Sequence, residues 1–168
     1  GTTLRGLQIH HHIDTDDYMA FVHRVQLTDF IAPDPQLDQA LAATPQEKII
    51  FTNASAAHAE AVLATLGIRR HFNGIIDLKS LDYVNKPDPL AYAKALALLQ
   101  RRPEECAVVE DSLRNLLPAA EMGMATVLVG SNGADAAQQV DAVIPTLSRL
   151  PEALPLLSRG RRRCHVRR

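Results

Sequence analysis

Only two cysteines, Cys106 and Cys164, stand among the 168 residues. That number provides no disulfide framework, and a reducing, cytoplasmic setting is expected. Cys106 falls in a predicted strand and reads as a small core residue. No apolar run approaches the roughly 20 residues needed to span a bilayer, so no membrane partner is expected. The N-terminus lacks a basic region followed by an apolar one, so no secretory signal is expected either. No internal repeat is visible. The last ten residues contain no acid but six arginines, leaving 12 basic against 19 acidic side chains in the preceding 158. An arginine block can meet nucleic acid or an acidic surface. The plainer reading is a solvated, disordered tail over 158–168, and nucleic acid is not an expected partner.

What is present fits one globular domain with a sizeable core: 46% hydrophobic and 22% charged residues, net charge −1. From Lys48 onward, apolar β-branched runs alternate with helical patterns. Strands are predicted at Ile49–Thr52, Gly74–Asp77, Ala107–Glu110, Thr126–Val129 and Ala142–Ile144. Helices are predicted from Ser55 to Leu66, closed by Gly67, and from Pro89 to about Gln100, capped by Asp88. A further helix is expected near Asn115, since Pro118 is tolerated only in a first turn. Its apolar face would comprise Leu113, Leu116, Leu117 and Ala120, and Gly123 would end it. Alternating strands and helices imply an α/β fold, a parallel sheet with helices on both faces. Upstream, Asp14 or Thr15 caps a helix with acids in its first turn, and Leu37–Ala43 suits a short one. Pro33 and Pro35 mark a boundary.

Three predicted strand ends or helix starts carry polar residues. Thr52-Asn53-Ala54-Ser55 sets a hydroxyl and N–H groups at a helix start, either an anion site or simple capping by Asn53 or Ser55. Lys86 sits in Asn85-Lys86-Pro87-Asp88-Pro89, where two prolines stiffen the backbone around it. It is a positioned ammonium or a surface lysine. Glu110 and Asp111 end a buried strand, where unpaired charge is costly. A hard cation such as Mg²⁺ would account for them; helix capping by Asp111 beside a solvated Glu110 is the alternative. In open α/β sheets, ligands bind outside the carboxyl ends of the strands.

The set is more specific than its members. Phe51-Thr52-Asn53-Ala54-Ser55, Lys86-Pro87-Asp88-Pro89 and Val108-Val109-Glu110-Asp111-Ser112, with Asn115 and Ala119-Ala120-Glu121-Met122-Gly123-Met124 behind it, resemble motifs two, three and four of the haloacid dehalogenase superfamily. The chain is similar to its pyrimidine 5′-nucleotidase-like branch. That resemblance implies a Rossmann-like core over 33–157 and a partial helical cap over 1–32. It implies Mg²⁺-dependent hydrolysis of small phosphate monoesters, nucleoside 5′-monophosphates first among them, through an aspartyl-phosphate. Thr52, with the N–H of Asn53 or Ala54, would hold phosphate oxygens. Lys86 would orient nucleophile and phosphate. Asp111 would bind Mg²⁺ with Glu110 beside it, and Ser112 and Asn115 would support their loop.

One family element is not found. The first motif, Asp-x-Asp at the end of a central first strand, is expected to be missing. Asp14-Thr15-Asp16 has the letters, but no apolar strand leads into it, and it reads as a helix cap. His10-His11-His12 point in different directions on a helix and read as surface residues. Two other functions stay open: a phosphate- and Mg²⁺-binding regulatory module without turnover, and a nucleic-acid-associated protein acting through the arginine tail. The oligomeric state is not specified by the sequence.

Overall fold

The computed structural model describes residues 11, 13–22, 25–130 and 134–160. The arginine tail beyond Gly160, Cys164, His10 and His12 lie outside the described residues. The chain divides into two compact units, each discontinuous in sequence: residues up to Asp34 with Lys48–Asn85, and Pro35–Glu47 with Lys86 onward. In chain order the regular elements are α1 (Thr15–Val22), α2 (Pro35–Ala42), β1 (Ile49–Phe51), α3 (Ala56–Thr65), β2 (Gly74–Ile76), α4 (Pro89–Leu99), β3 (Ala107–Glu110), α5 (Leu113–Glu121), β4 (Ala125–Val129), α6 (Ala134–Ala137), β5 (Ala142–Ile144) and α7 (Leu150–Gly160).

The first unit contains α1, β1, α3 and β2. The Asp17 N–H donates to Asp14 Oδ1 at 2.8 Å, so Asp14-x-Asp16 starts a helix, as its setting implied. β1 and β2 run parallel, Ile49 opposite Gly74 and Phe51 opposite Ile76. The short ladder is extended at both ends: Asn73 N–H donates to Lys48 O at 2.8 Å, and Thr52 N–H to Ile76 O at 3.0 Å. Between the strands, α3 is capped by Ser55, whose Oγ accepts from the His58 N–H at 3.3 Å. Gly67 ends that turn at φ +72°, a conformation open to glycine without a Cβ clash.

The second unit is built on a three-stranded parallel ladder in the order β3-β4-β5. Side chains alternate across a strand, and β4 shows the consequence. Ala125 and Val127 pack with Ala142, Ile144, Leu150, Ala153 and Leu157, covering one face with α7. Leu128 packs with Leu116 and Ala136, covering the other with α5 and α6. Val127, Leu128 and Leu116 are fully buried. A parallel ladder sheathed by helices on both faces is the arrangement expected of an α/β fold. α2, distant in sequence, packs against α7 and the turn at Leu147–Arg149.

Three local expectations are corrected. α5 begins at Leu113 rather than near Asn115, so Pro118 lies inside it. Its first turn closes tightly, with Asn115 N–H donating to Ser112 O at 3.0 Å, and Pro118 simply supplies no N–H to the carbonyl of the preceding turn. Its buried face runs through Leu116 and Ala119, while Leu117 and Ala120 are exposed. Cys106 precedes β3 and is half-buried, not a core residue.

Candidate functional site

Thr52 leaves β1 with its N–H bonded to β2, which fixes where its side chain begins. Its Oγ1 accepts from the Ala54 N–H at 3.0 Å. A hydroxyl that accepts one bond keeps its own proton to donate, so Thr52 can still offer an O–H to an anion. The Ala54 N–H, one of the two amides expected to hold phosphate, is instead engaged by Thr52, while Ser55 is the residue that caps α3. Asn53 is half-buried between them.

The same loop is held by a residue to which the motif reading gave no role. Asp77 follows β2 and is buried. Its Oδ2 accepts from the Ala56 N–H at 3.0 Å, at the first position of α3. Its Oδ1 accepts from the Ser80 N–H at 2.9 Å and the Ser80 hydroxyl at 2.6 Å. Burial alone would raise its pKa. The bonds from Ser80 and Ala56 outweigh burial and hold the carboxyl below its ordinary value. Its stabilising effect is therefore complete above the unfolded value of about 3.9, and is lost as pH falls below that through the folded value. Asp77→Asn is expected to cost about 1–3 kcal/mol near neutral pH. The gap to wild type should shrink in acid, as read from urea midpoints near neutrality and at about pH 3. A gap independent of pH would refute the assignment. The signal was present in Asp77-x-x-Ser80, an Asx-turn pattern directly after an apolar strand.

In the second unit, Lys86 is buried, and its Nζ donates to Glu110 Oε2 at 2.6 Å. The two side chains keep only 10% and 12% of their surface exposed, so the surface-lysine and solvated-glutamate readings are both set aside. Lys86 precedes α4, whose start is set by Pro89 at its first turn and by Asp88, whose carboxylate accepts from the Leu90 N–H at 3.0 Å. Glu110 is the last residue of β3, and Asp111 follows it, exposed. The N-cap of α5 is Ser112 rather than Asp111, and its side chain makes no capping bond. The helix-capping alternative for Asp111 is thereby corrected. The neighbouring Glu110 side chain and the nearby Lys86 ammonium hold the Asp111 carboxyl below its ordinary range, against the opposing effect of burial. Asp111 is thus ionised at neutral pH. Asn115 lies on the first turn of α5 and is half-buried, and its carbonyl accepts from the Tyr92 hydroxyl.

Among the described residues, no group of three His, Cys, Asp or Glu side chains could hold a metal ion. Glu110 and Asp111 therefore offer two carboxylates at most, with hard oxygen donors. That set fits Mg²⁺, which keeps several waters and takes one or two carboxylates together with substrate phosphates. No helix among the described residues is long and apolar enough to cross a membrane.

The sequence pattern of haloacid dehalogenase-like hydrolases matches residues 3–123. Among curated relatives, mouse bifunctional epoxide hydrolase 2 is 35% identical over 86 residues, 51% of this chain and 15% of that protein. Beta-phosphoglucomutase of Bacillus subtilis is 30% identical over 120 residues, 71% of this chain and 51% of that one. The chain thus spans about half or less of the length of the curated relatives it matches. A crystal structure of a HAD family hydrolase from Deinococcus radiodurans, with bound phosphate and sodium, superposes with a TM-score of 0.65 at 20% identity, covering 92% of this chain and 74% of that one. At that identity the likeness is one of fold.

Proposed function

The chain belongs to the haloacid dehalogenase-like hydrolase family, and from that premise we propose that its residues serve phosphoryl transfer from small phosphate monoesters, with nucleoside 5′-monophosphates as the first substrates to test. The observation that carries this reading is the buried Lys86–Glu110 ion pair at 2.6 Å beside an ionised, exposed Asp111. A cation and two carboxylates at the end of a parallel strand are the charges that a phosphate and a divalent metal require.

Each residue has a role in this reading. Glu110 and Asp111 would hold Mg²⁺, which when bound offsets negative charge around the phosphate. Lys86 presents a compact ammonium to a phosphate oxygen. Thr52 donates its hydroxyl, with the Asn53 N–H beside it. Ser112 and Asn115 shape the turn that carries the acids. The reading extends to the pyrimidine 5′-nucleotidase-like branch and to cap function for the residues before 33.

In this reading Asp14, whose carboxylate accepts from the Asp17 N–H at the start of α1, is a helix cap and not the nucleophile. Binding is therefore the property to measure. Calorimetric titration with Mg²⁺ is expected to show one site. Asp111→Asn should weaken it at least tenfold, since the remaining carboxylate is already paired with Lys86. An unchanged affinity in Asp111→Asn would refute the metal assignment.

A further inference from the structure

Tyr92 is the largest fully buried side chain of the described residues, 1% exposed, and it lies on α4 away from every motif. Its ring belongs to the buried face of that helix with Ala91, Ala95 and Leu96, where any apolar ring of that size would pack. The hydroxyl has a different destination. It donates to the carbonyl of Asn115, in the first turn of α5. The N–H of the same residue donates to Ser112 O at 3.0 Å, so Asn115 is fixed on both sides of its backbone.

These contacts close a ring. Lys86 pairs with Glu110 at 2.6 Å. From Glu110 the chain runs through Asp111 and Ser112 to Asn115. Asn115 is bonded to Tyr92, and Tyr92 stands on the first turn of α4, six residues beyond Lys86. On the strand side the acid-bearing turn is held by that ion pair and by the ladder, in which Glu110 stands opposite Leu128. The tyrosine bond adds an attachment on the helix side, so the turn is held at both ends. Side chains that orient metal ligands from behind commonly matter almost as much as the ligands themselves.

We infer that Tyr92 is a positioning residue: its hydroxyl, bonded to Asn115, sets the orientation in which Glu110 and Asp111 are presented to a divalent cation. The inference rests on the metal reading above and deepens it. Burial, followed by the Glu110 charge, raises the pKa of this phenol far above its ordinary value, so it remains a donor at neutral pH.

The test is Tyr92→Phe in the 168-residue chain, which keeps the ring and deletes one oxygen. Metal-free amide exchange should quicken roughly fivefold at Ser112 to Asn115, while β4 amides and the melting temperature stay near wild type. Mg²⁺ affinity should fall about tenfold. Unchanged exchange at Ser112–Asn115, or an unchanged Mg²⁺ affinity in a variant whose parent binds Mg²⁺, would overturn the inference. So would exchange that rises equally across β3, β4 and β5, since that is loss of general stability. If the parent chain itself binds no Mg²⁺, the metal reading fails and this inference fails with it. The metal-free exchange still reports separately whether Tyr92 holds the turn.

Discussion

Rigorously purified, given Mg²⁺ and a nucleoside 5′-monophosphate, the 168-residue chain is expected to release phosphate no faster than the enzyme-free blank. An aspartyl-phosphate route needs a carboxylate oxygen free to attack phosphorus. The carboxylates that end strands are otherwise occupied. Asp77 accepts three hydrogen bonds and holds the start of α3. Glu110 is tied to Lys86, and Asp111 is assigned to the metal. Asp14, in the chain's single Asp-x-Asp, accepts from its own helix. In a serine protease, removing the nucleophile alone lowers turnover by about 10⁶-fold, and an effect of that order is expected here. Asp111→Asn is the control. Mg²⁺-dependent turnover in the parent that disappears in Asp111→Asn would show that a nucleophile exists within these residues. Turnover equal in both would identify a contaminant.

Lys86→Met is expected to be strongly destabilising, costing about 3–5 kcal/mol. Methionine keeps the length and apolar stem of lysine. What it deletes is the charge opposite a carboxylate that is 12% exposed. Leaving one member of a buried pair without its partner costs far more than the pair contributes while intact. The double variant Lys86→Met with Glu110→Leu should therefore recover most of the loss, although it has lost both charges. Urea midpoints of the wild type, both single variants and the double variant make this a thermodynamic cycle. If the lysine substitution alone costs under about 1 kcal/mol, the pair is solvated and behaves as a surface bridge. The same two charges are the ones assigned to phosphate and metal. A charge pair of this kind in the interior is weak evidence of selection for stability, and function is the stronger reason to keep it.

The strands were legible because four of the five are short β-branched runs bounded by polar residues, and each was placed to within a residue. Asp88-Pro89 at the start of α4 and Gly67 and Gly123 at the ends of α3 and α5 identified those boundaries through local chemistry. Pro118 misled because its missing N–H was weighed without the tight turn at Ser112–Asn115, which starts the helix earlier. Lys86 and Glu110 could be singled out as polar residues in unusual places. Their partnership was not readable, since 24 residues separate them and nothing in the pattern links the two. Asp77 and Tyr92 went unassigned for the same reason. Asp77 reaches the Ala56 amide and Tyr92 the Asn115 carbonyl, each more than twenty positions away, and those backbone partners leave no mark in the sequence, although the Asp77–Ser80 turn does.

The placement of α2 against α7 bears on how the chain is made. α2 ends at Ala42, and the helix that covers it begins at Leu150. At a synthesis rate of about 5–20 residues per second, α2 waits several seconds for its partner. Meanwhile the whole of Lys48–Asn85 emerges and can close its own short ladder. The first unit's strands are thus available to pair early, before the second unit is complete. The second unit, whose α2 is held by α7, is completed only when α7 has left the ribosome.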